Sequence, residues 1–348
     1  MNDGDKTGED LCAIYVDMGT TNTRVWLMRG DEVLARACKP VGVRDSVHDG
    51  SPARIRLALK ELISTVQGQT NDVSNSNLPF CVAAAGMISS SLGLAELPHL
   101  TTPAGSRELS GGTRRFEFPD ISTLPFLLIP GVRSGPATID HQSLNKADVM
   151  RGEETLCAGL HASGLVAVPG VVITLGSHWK AIQLDAEGRI DSSITSLSGE
   201  LIHVLQTQTI LASSVGRDWP ARPAPDWMDA GMQEQRRSGL SRTLFCVRLM
   251  ELGDEGTAKE RFSYLLGAFI ASDLDALARR GILNSDIQVT ISGHEVIAEA
   301  WTSALARMSI SATVLTEVET EKAFLSGLRF ILSRTSAVAR MGHWTEQG

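Results

Sequence analysis

Residues 12–37 read CAIYVDMGTTNTRVWLMRGDEVLARA, and this stretch decides the fold. Cys12 to Val16 is a short apolar run that ends in Asp17. Gly19-Thr20-Thr21-Asn22 is a turn-like cluster. Arg24 to Met28 follows, with Val25 and Leu27 at alternating positions, then the Gly30-Asp31 hairpin turn and a return from Val33 to Ala37. The pattern predicts strand, turn, strand, turn, strand.

The same layout recurs in residues 171–195, VVITLGSHWKAIQLDAEGRIDSSIT. An apolar, β-branched run ends at Leu175, Gly176-Ser177-His178 makes the turn, and Trp179 to Leu184 is the next strand. Asp185-Ala186-Glu187-Gly188 turns again, and Arg189 to Thr195 returns. Two copies of one strand–glycine turn–strand unit suggest a duplicated fold, with a spacing that suits two related domains rather than a solenoid. Helical patterns lie between and after the copies, at Arg54 to Val66, Glu153 to His161, Gly199 to Ala212, Leu240 to Leu252, Arg261 to Arg279, Glu295 to Met308 and Glu321 to Ser333. Short strands are expected at Phe80 to Ala85, Phe126 to Ile129 and Ile287 to Ile291. Leu97 to Arg115, rich in Pro, Gly, Ser and Thr, reads as irregular, and Asn71 to Asn77 as a polar loop. Strands alternating with helices make the class α/β.

The 348 residues are enough for two domains. We expect a disordered tail over 1–10, a first domain over 11–150 and a second over 151–320, with a terminal helix at about 321–345 returning to the first. A net charge of −8 with no basic cluster argues against nucleic acid or an anionic membrane surface as partner. No apolar run is long enough to span a bilayer, and residues 1–10 lack the blocks of a secretion signal. Five scattered cysteines with no C-x-x-C pair fit reduced thiols in the cytoplasm.

Three motifs carry chemistry. In Asp17-Met18-Gly19-Thr20-Thr21-Asn22, a tight turn of glycine and small hydroxyl residues leaves backbone N–H groups free for phosphate oxygens. Asp17, at the strand end, can hold Mg²⁺ through hard oxygen ligands. A strand after the glycine argues against a dinucleotide site of the G-x-G-x-x-G kind, which needs a helix N-terminus there, and leaves an NAD-dependent oxidoreductase a weak third option. Gly176-Ser177-His178, with Lys180 nearby, holds the same place in the second copy. The bland reading of either turn is a polar hairpin, and it is their pairing that favours a nucleotide. In Asp148-Val149-Met150-Arg151-Gly152-Glu153-Glu154, Arg151 can take a carboxylate and Asp148 can accept a proton from an attacking hydroxyl. The plain alternative is an acidic helix cap at a helix start. A fourth glycine, Gly293 in Ser292-Gly293-His294, lets a flat ring approach the backbone or simply serves the loop.

These residues together resemble the 2-dehydro-3-deoxygalactonokinase family of actin/hexokinase/Hsp70-like kinases. The likeness rests on DMGTTNTRVWL (17–27), AGMI (85–88), ELPHLTTPAG (96–105), IPGVRS (129–134), DVMRGEET (148–155), LGSHWK (175–180), SGEL (198–201) and AFLSGL (323–328). It implies two actin-like, ribonuclease H-like domains with a nucleotide cleft between them. It further implies ATP-dependent, Mg²⁺-assisted phosphorylation of the O6 hydroxyl of 2-dehydro-3-deoxy-D-galactonate. Asp17, Gly19, Thr20, Thr21 and Asn22 match the first phosphate motif, and Asp17 the metal position. Gly176, Ser177, His178 and Lys180 match the second motif, and Gly293 falls near the adenosine position. Arg24, Gly86, Met87, Arg151 and Glu154 fall on the substrate side, with Asp148 as candidate base.

The chain departs from the family at Ser89-Ser90-Ser91 and Leu94, where an arginine and an aromatic ring are usual, so a kinase of a related sugar or sugar acid is the alternative. A nucleotide-binding sensor that kept the fold and lost catalysis is the alternative from another class. The expected partners are a sugar acid and ATP; the assembly state is not legible, and a homodimer stays open.

Overall fold

The structure, a computed structural model, describes residues 12–69, 78–138 and 140–335. The tail over 1–10, the loop at Asn71 to Asn77 and the end of the expected terminal helix lie outside the described residues. The described chain divides into two compact units. One holds the residues up to Leu165, with Gly188–Ser192 and the residues from Glu321 onward; the other holds Val166–Glu187 and Ser193–Thr320.

The first unit opens with β1 (Cys12–Met18), β2 (Thr23–Arg29) and β3 (Glu32–Lys39). Two helices follow, α1 (Val43–Asp49) and α2 (Ala53–Gly68), then β4 (Val82–Gly86), β5 (Leu100–Thr101), α3 (Ser106–Gly112), β6 (Arg114–Phe116), β7 (Phe126–Leu128), β8 (Val132–Ser134), β9 (Asp148–Met150) and α4 (Glu153–Ala162). The main sheet has the order β3-β2-β1-β4-β7-β6, and β5-β8-β9 form a small second sheet. β1 is central, antiparallel to β2 and parallel to β4. Its residues are buried save Asp17, as a strand covered on both faces demands. The helical spacing of Ile55, Leu59, Leu62, Ile63 and Val66 lays one face of α2 on this sheet's core.

The second unit has β10 (Gly170–Leu175), β11 (Trp179–Leu184), most of β12 (Ile190–Ser196, of which Ile190 to Ser192 fall in the first unit), α5 (Ser198–Gln208), α6 (Ala212–Val215), α7 (Pro225–Ser238), α8 (Leu240–Leu252), α9 (Ala258–Arg279), β13 (Val289–Gly293), α10 (Glu295–Ala306) and β14 (Ala312–Val314). Its sheet order, β12-β11-β10-β13-β14, repeats the β3-β2-β1-β4-β7 order of the first. Again the first strand is antiparallel to the second and parallel to the fourth. Two sheets of this order are two actin-like, ribonuclease H-like units. The last helix, α11 (Glu317–Ser333), starts in the second unit and continues in the first. There Phe324 packs on Trp26, with ring centroids 6.3 Å apart.

Several elements differ from the sequence reading. Leu97 to Arg115 is not irregular: Glu108 accepts the Gly105 N–H at 2.9 Å and starts α3 despite its glycines. Asp148 is not at a helix start but on β9, opposite Ser134; the helix begins at Glu153. α4, expected to begin the second domain, belongs to the first unit, where Gly159 and Gly327 let its backbone approach that of α11. The helix from Gly199 breaks after Gln208 and resumes at Ala212. α1 and α7 had no expected counterpart; α7 is largely polar, and its buried residues are Met228, Gly231 and Met232.

Candidate active site

The first turn, Gly19 to Asn22, closes on itself through the Gly19 N–H, which donates to the Asn22 carbonyl at 2.9 Å. Its outer face is shaped by α1. The amides of Val43 and Arg44 donate to the carbonyls of Gly19 and Thr20 at 3.3 and 2.9 Å. A peptide whose carbonyl is held from below presents its N–H on the other side. The Thr20 and Thr21 amides have no acceptor among the described residues. Gly42, the residue before α1, makes this approach possible. A Cβ there would run into the Thr20 carbonyl and lie 2.6 Å from the Gly19 oxygen.

The second turn repeats the device. The Glu200 N–H at the start of α5 donates to the Ser177 carbonyl at 2.7 Å. Gly199 packs so closely that a Cβ would strike the Gly176 carbonyl and lie 2.8 Å from that of Ser177. The Gly176, Ser177 and His178 amides have no acceptor among the described residues, and Gly176 is exposed. His178 Nε2 pairs with Glu200 Oε2 at 3.2 Å. Asp273 of α9 braces the start of α5 by accepting the Ser196 and Ser198 hydroxyls at 2.7 and 2.8 Å. Burial raises the Asp273 pKa against the effect of those two donors. Gly293 closes the far side of the turn: it is paired with Leu175 at φ +155°, and a Cβ would lie 2.5 Å from that of Leu175. Lys180 is turned away from solvent, at 4% exposure, and its ammonium donates to Thr195 Oγ1 on β12.

Acids gather at the end of β1. Asp17 is paired in register with Arg24, whose Nε lies 3.9 Å from Asp17 Oδ2. Gly86, at φ +90°, ends β4 beside it; a Cβ on Gly86 would lie 2.5 Å from the Met18 carbonyl and 3.4 Å from Asp17 Oδ1. Gly152 in turn faces Gly86, 3.4 Å from a Cβ to the Gly86 Cα, which brings the start of α4 to the same place. Burial pushes the Asp17 pKa up to about 6, with Arg24 lowering it and the neighbouring Glu153 raising it. Glu154 is 1% exposed, and both its carboxylate oxygens accept the Gly152 N–H at 2.8 Å. Burial, and then Glu153, push its pKa up to about 7.

Comparison with known proteins meets this geometry. A family model described as 2-keto-3-deoxy-galactonokinase matches residues 17–331. The chain belongs to that family. It is therefore a phosphotransferase with an alcohol group as acceptor, and kinases of this family use ATP. The 2-dehydro-3-deoxygalactonokinase of Escherichia coli (strain K12) is 27% identical over 332 residues, covering 91% of this chain and 96% of its own. The crystal structure of a presumed 2-dehydro-3-deoxygalactonokinase from Sinorhizobium meliloti superposes with a TM-score of 0.71 at 24% identity, covering 92% of this chain and 97% of that one. An activator of 2-hydroxyisocaproyl-CoA dehydratase from Clostridium difficile, solved with bound ADPNP, reaches 0.50 at 11% identity over 95% of this chain and 98% of its own.

Within the 2-keto-3-deoxy-galactonokinase frame, Asp17, Gly86, Gly152, Glu153 and Glu154 cluster in the first unit, whereas Gly176, Ser177, His178, Glu200 and Gly293 cluster in the second. No group of three or more His, Cys, Asp or Glu side chains among the described residues forms a metal cage. Asp17 with Glu153 nearby offers hard oxygens under a charge that a cation would relieve. Met87 follows Gly86 in a short 3₁₀ turn. Arg151 does not point freely outward: it donates to Ser89 Oγ at 2.9 Å and to the Leu97 carbonyl at 2.7 Å. Sequence reasoning missed Gly42, Gly199, Glu200 and Glu153. The motif SGEL was visible, but nothing local in it says that its glycine packs on another turn.

Proposed function

We propose that this chain is an ATP-dependent kinase that phosphorylates the O6 hydroxyl of 2-dehydro-3-deoxy-D-galactonate, in the breakdown of galactonate. The observation that carries this reading is the family match over residues 17–331, joined to two turns whose free amides fit phosphate oxygens. The name of the Escherichia coli relative supports the acceptor.

In this reading the Thr20 and Thr21 amides, with the hydroxyls of the same residues, take nucleotide phosphate oxygens. The Gly176-Ser177-His178 turn takes others, and the base of ATP lies near Gly293. Asp17 holds Mg²⁺, which when bound neutralises charge developing on the phosphates. Lys180 supplies positive charge from beneath the second turn. Arg24, Gly86, Met87 and Arg151 line the acceptor's side. Glu154 keeps the Gly152 turn in shape. The proton of the attacking hydroxyl passes to a carboxylate: Asp148 is the one that the motif suggests, and Glu153 the one that its place beside Asp17 favours. The scatter of five cysteines with no C-x-x-C pair supports a reducing cytoplasm.

The Ser89–Ser91 stretch, where Ser89 receives Arg151, favours a second reading in which a related sugar acid is the acceptor. A coupled ADP-release assay with Mg-ATP and a panel of 2-keto-3-deoxy sugar acids tests both readings. The galactonate derivative should show the highest kcat/KM; a different sugar acid leading would select the second reading, and no ADP with any member would overturn both.

A further inference from the structure

Arg151 and Arg133 are partly buried arginines of the first unit whose hydrogen bonds go only to neutral groups, as those of Arg261 do in the second. Among the described residues, Arg29, Arg54, Arg56, Arg115 and Arg236 are each paired with a carboxylate within 3.0 Å. Neither Arg133 nor Arg151 has an ion pair among the described residues. Arg151 is partly buried, and its hydrogen bonds are to a hydroxyl and a carbonyl, with His99 Nδ1 at 3.5 Å from its Nη2. Arg133 donates to the carbonyls of Pro136 and Ala137 at 2.5 and 3.0 Å, both through Nη2, so that Nε and Nη1 remain available. A partly buried guanidinium given only neutral acceptors is costly, and an anion is its natural complement.

The small sheet brings these groups together. β5, β8 and β9 lie side by side, with Thr101 opposite Arg133 and Val132 opposite Met150. His99 leads into β5 and Arg151 follows β9. Gly131 lies between them; a Cβ there would meet the Met150 carbonyl, lie 2.6 Å from Arg151 Cγ and 2.9 Å from His99 Cδ2. The nearest carboxylates do not fill the place. Glu154 is committed to the Gly152 N–H and Glu96 is exposed. Burial, then Arg151, then Arg133 push the His99 pKa down to about 4, so the imidazole is neutral and sits in a positive field.

We propose that Arg151, Arg133 and His99 form the subsite for the carboxylate end of the acceptor, with His99 and Arg133 setting the preference for a sugar acid over a neutral sugar. This rests on the kinase reading above. The chain runs directly from Arg151 to Gly152, which touches Gly86 beside Asp17, so an acceptor held at this subsite extends its other end toward the acids.

The test compares wild type with His99→Gln and Arg133→Gln, using 2-dehydro-3-deoxygalactonate, its neutral C1 amide, and ATP. Each variant should raise KM for the acid by about tenfold, leave KM for ATP within about twofold, and shrink the acid-to-amide ratio of kcat/KM. A merely structural role would move all three substrates together. In parallel, the His99 ring is titrated by NMR with and without pyruvate, the smallest 2-oxo carboxylate. A bound anion favours imidazolium, so the midpoint should rise from about 4. Wild-type turnover with an unchanged acid-to-amide ratio in both variants overturns the subsite and leaves the kinase standing. No turnover with any sugar acid defeats the kinase reading instead, and the pyruvate titration then decides: a fixed His99 midpoint overturns the subsite.

Discussion

The Arg44 backbone N–H donates to the Thr20 carbonyl at 2.9 Å. This bond settles which way the first turn faces. In the second unit the Glu200 N–H does the same for Ser177 at 2.7 Å. In each unit a helix start holds a carbonyl of the turn, and the Thr20, Thr21, Ser177 and His178 amides have no acceptor among the described residues. Amide exchange should show the division. Arg44 and Glu200 should exchange slowly in the free protein, while Thr20, Thr21, Ser177 and His178 exchange fast and slow down on adding a non-hydrolysable Mg-ATP analogue. Fast exchange at all six with the analogue bound would contradict the arrangement.

With Asp17 as the proposed Mg²⁺ ligand, the activity should have a pH limb. Partial burial pushes the Asp17 carboxyl up to about 6 by disfavouring the charge. Metal binding needs the ionised form. At limiting Mg²⁺, kcat/KM for ATP should fall as pH drops through about 6, and saturating Mg²⁺ should move that limb to lower pH. Asp17→Asn should abolish turnover and remove the limb. A limb unmoved by Mg²⁺ would separate Asp17 from the metal.

Glu154 affects stability in the opposite sense to a salt-bridged acid. Its pKa rises from 4.5 to about 7, so the folded state binds the proton more tightly than the unfolded one. Stability is then greatest below 4.5, declines as pH rises toward 7, and levels off above. Glu154→Gln keeps an acceptor for the Gly152 N–H and should flatten that slope. Glu154→Ala leaves the amide unsatisfied and should cost about 1–3 kcal/mol in urea unfolding. Equal stability for the two variants would mean that the hydrogen bond contributes nothing.

In the proposed reaction Glu153 and Asp148 are the two candidates for the base. Glu153 opens α4 beside Asp17, while Asp148 lies on β9 opposite Ser134. Glu153→Gln should lower kcat by about 10²-fold or more with KM for ATP little changed, and Asp148→Asn should have the smaller effect. The reverse order would return the role to Asp148.

Much of this was legible in the sequence for a physical reason. β1 and β10 are buried strands that end at a glycine turn, and both apolar run and glycine are local signals; so is the spacing of Ile55, Leu59 and Leu62 on α2. What escaped is what only packing decides. Gly42 carries no local signal, and Gly199 reads only as a helix start, until the turn each supports is brought against it. Glu154 reads as a substrate-side acid, yet it is buried and folds back onto the Gly152 N–H. Arg151 reads as a free clamp, yet part of its guanidinium is engaged by Ser89 and Leu97.

The account turns on the two helix-held turns being the phosphate sites, and calorimetric titration of a non-hydrolysable Mg-ATP analogue tests that most directly. Wild type should bind. Gly42→Ala and Gly199→Ala should each weaken binding by about tenfold or more, because the added methyl pushes the turn off its helix. Gly111→Ala, at a position with nothing within 4 Å of the new methyl, should bind as wild type does. Wild-type Kd in both Gly42→Ala and Gly199→Ala would contradict it.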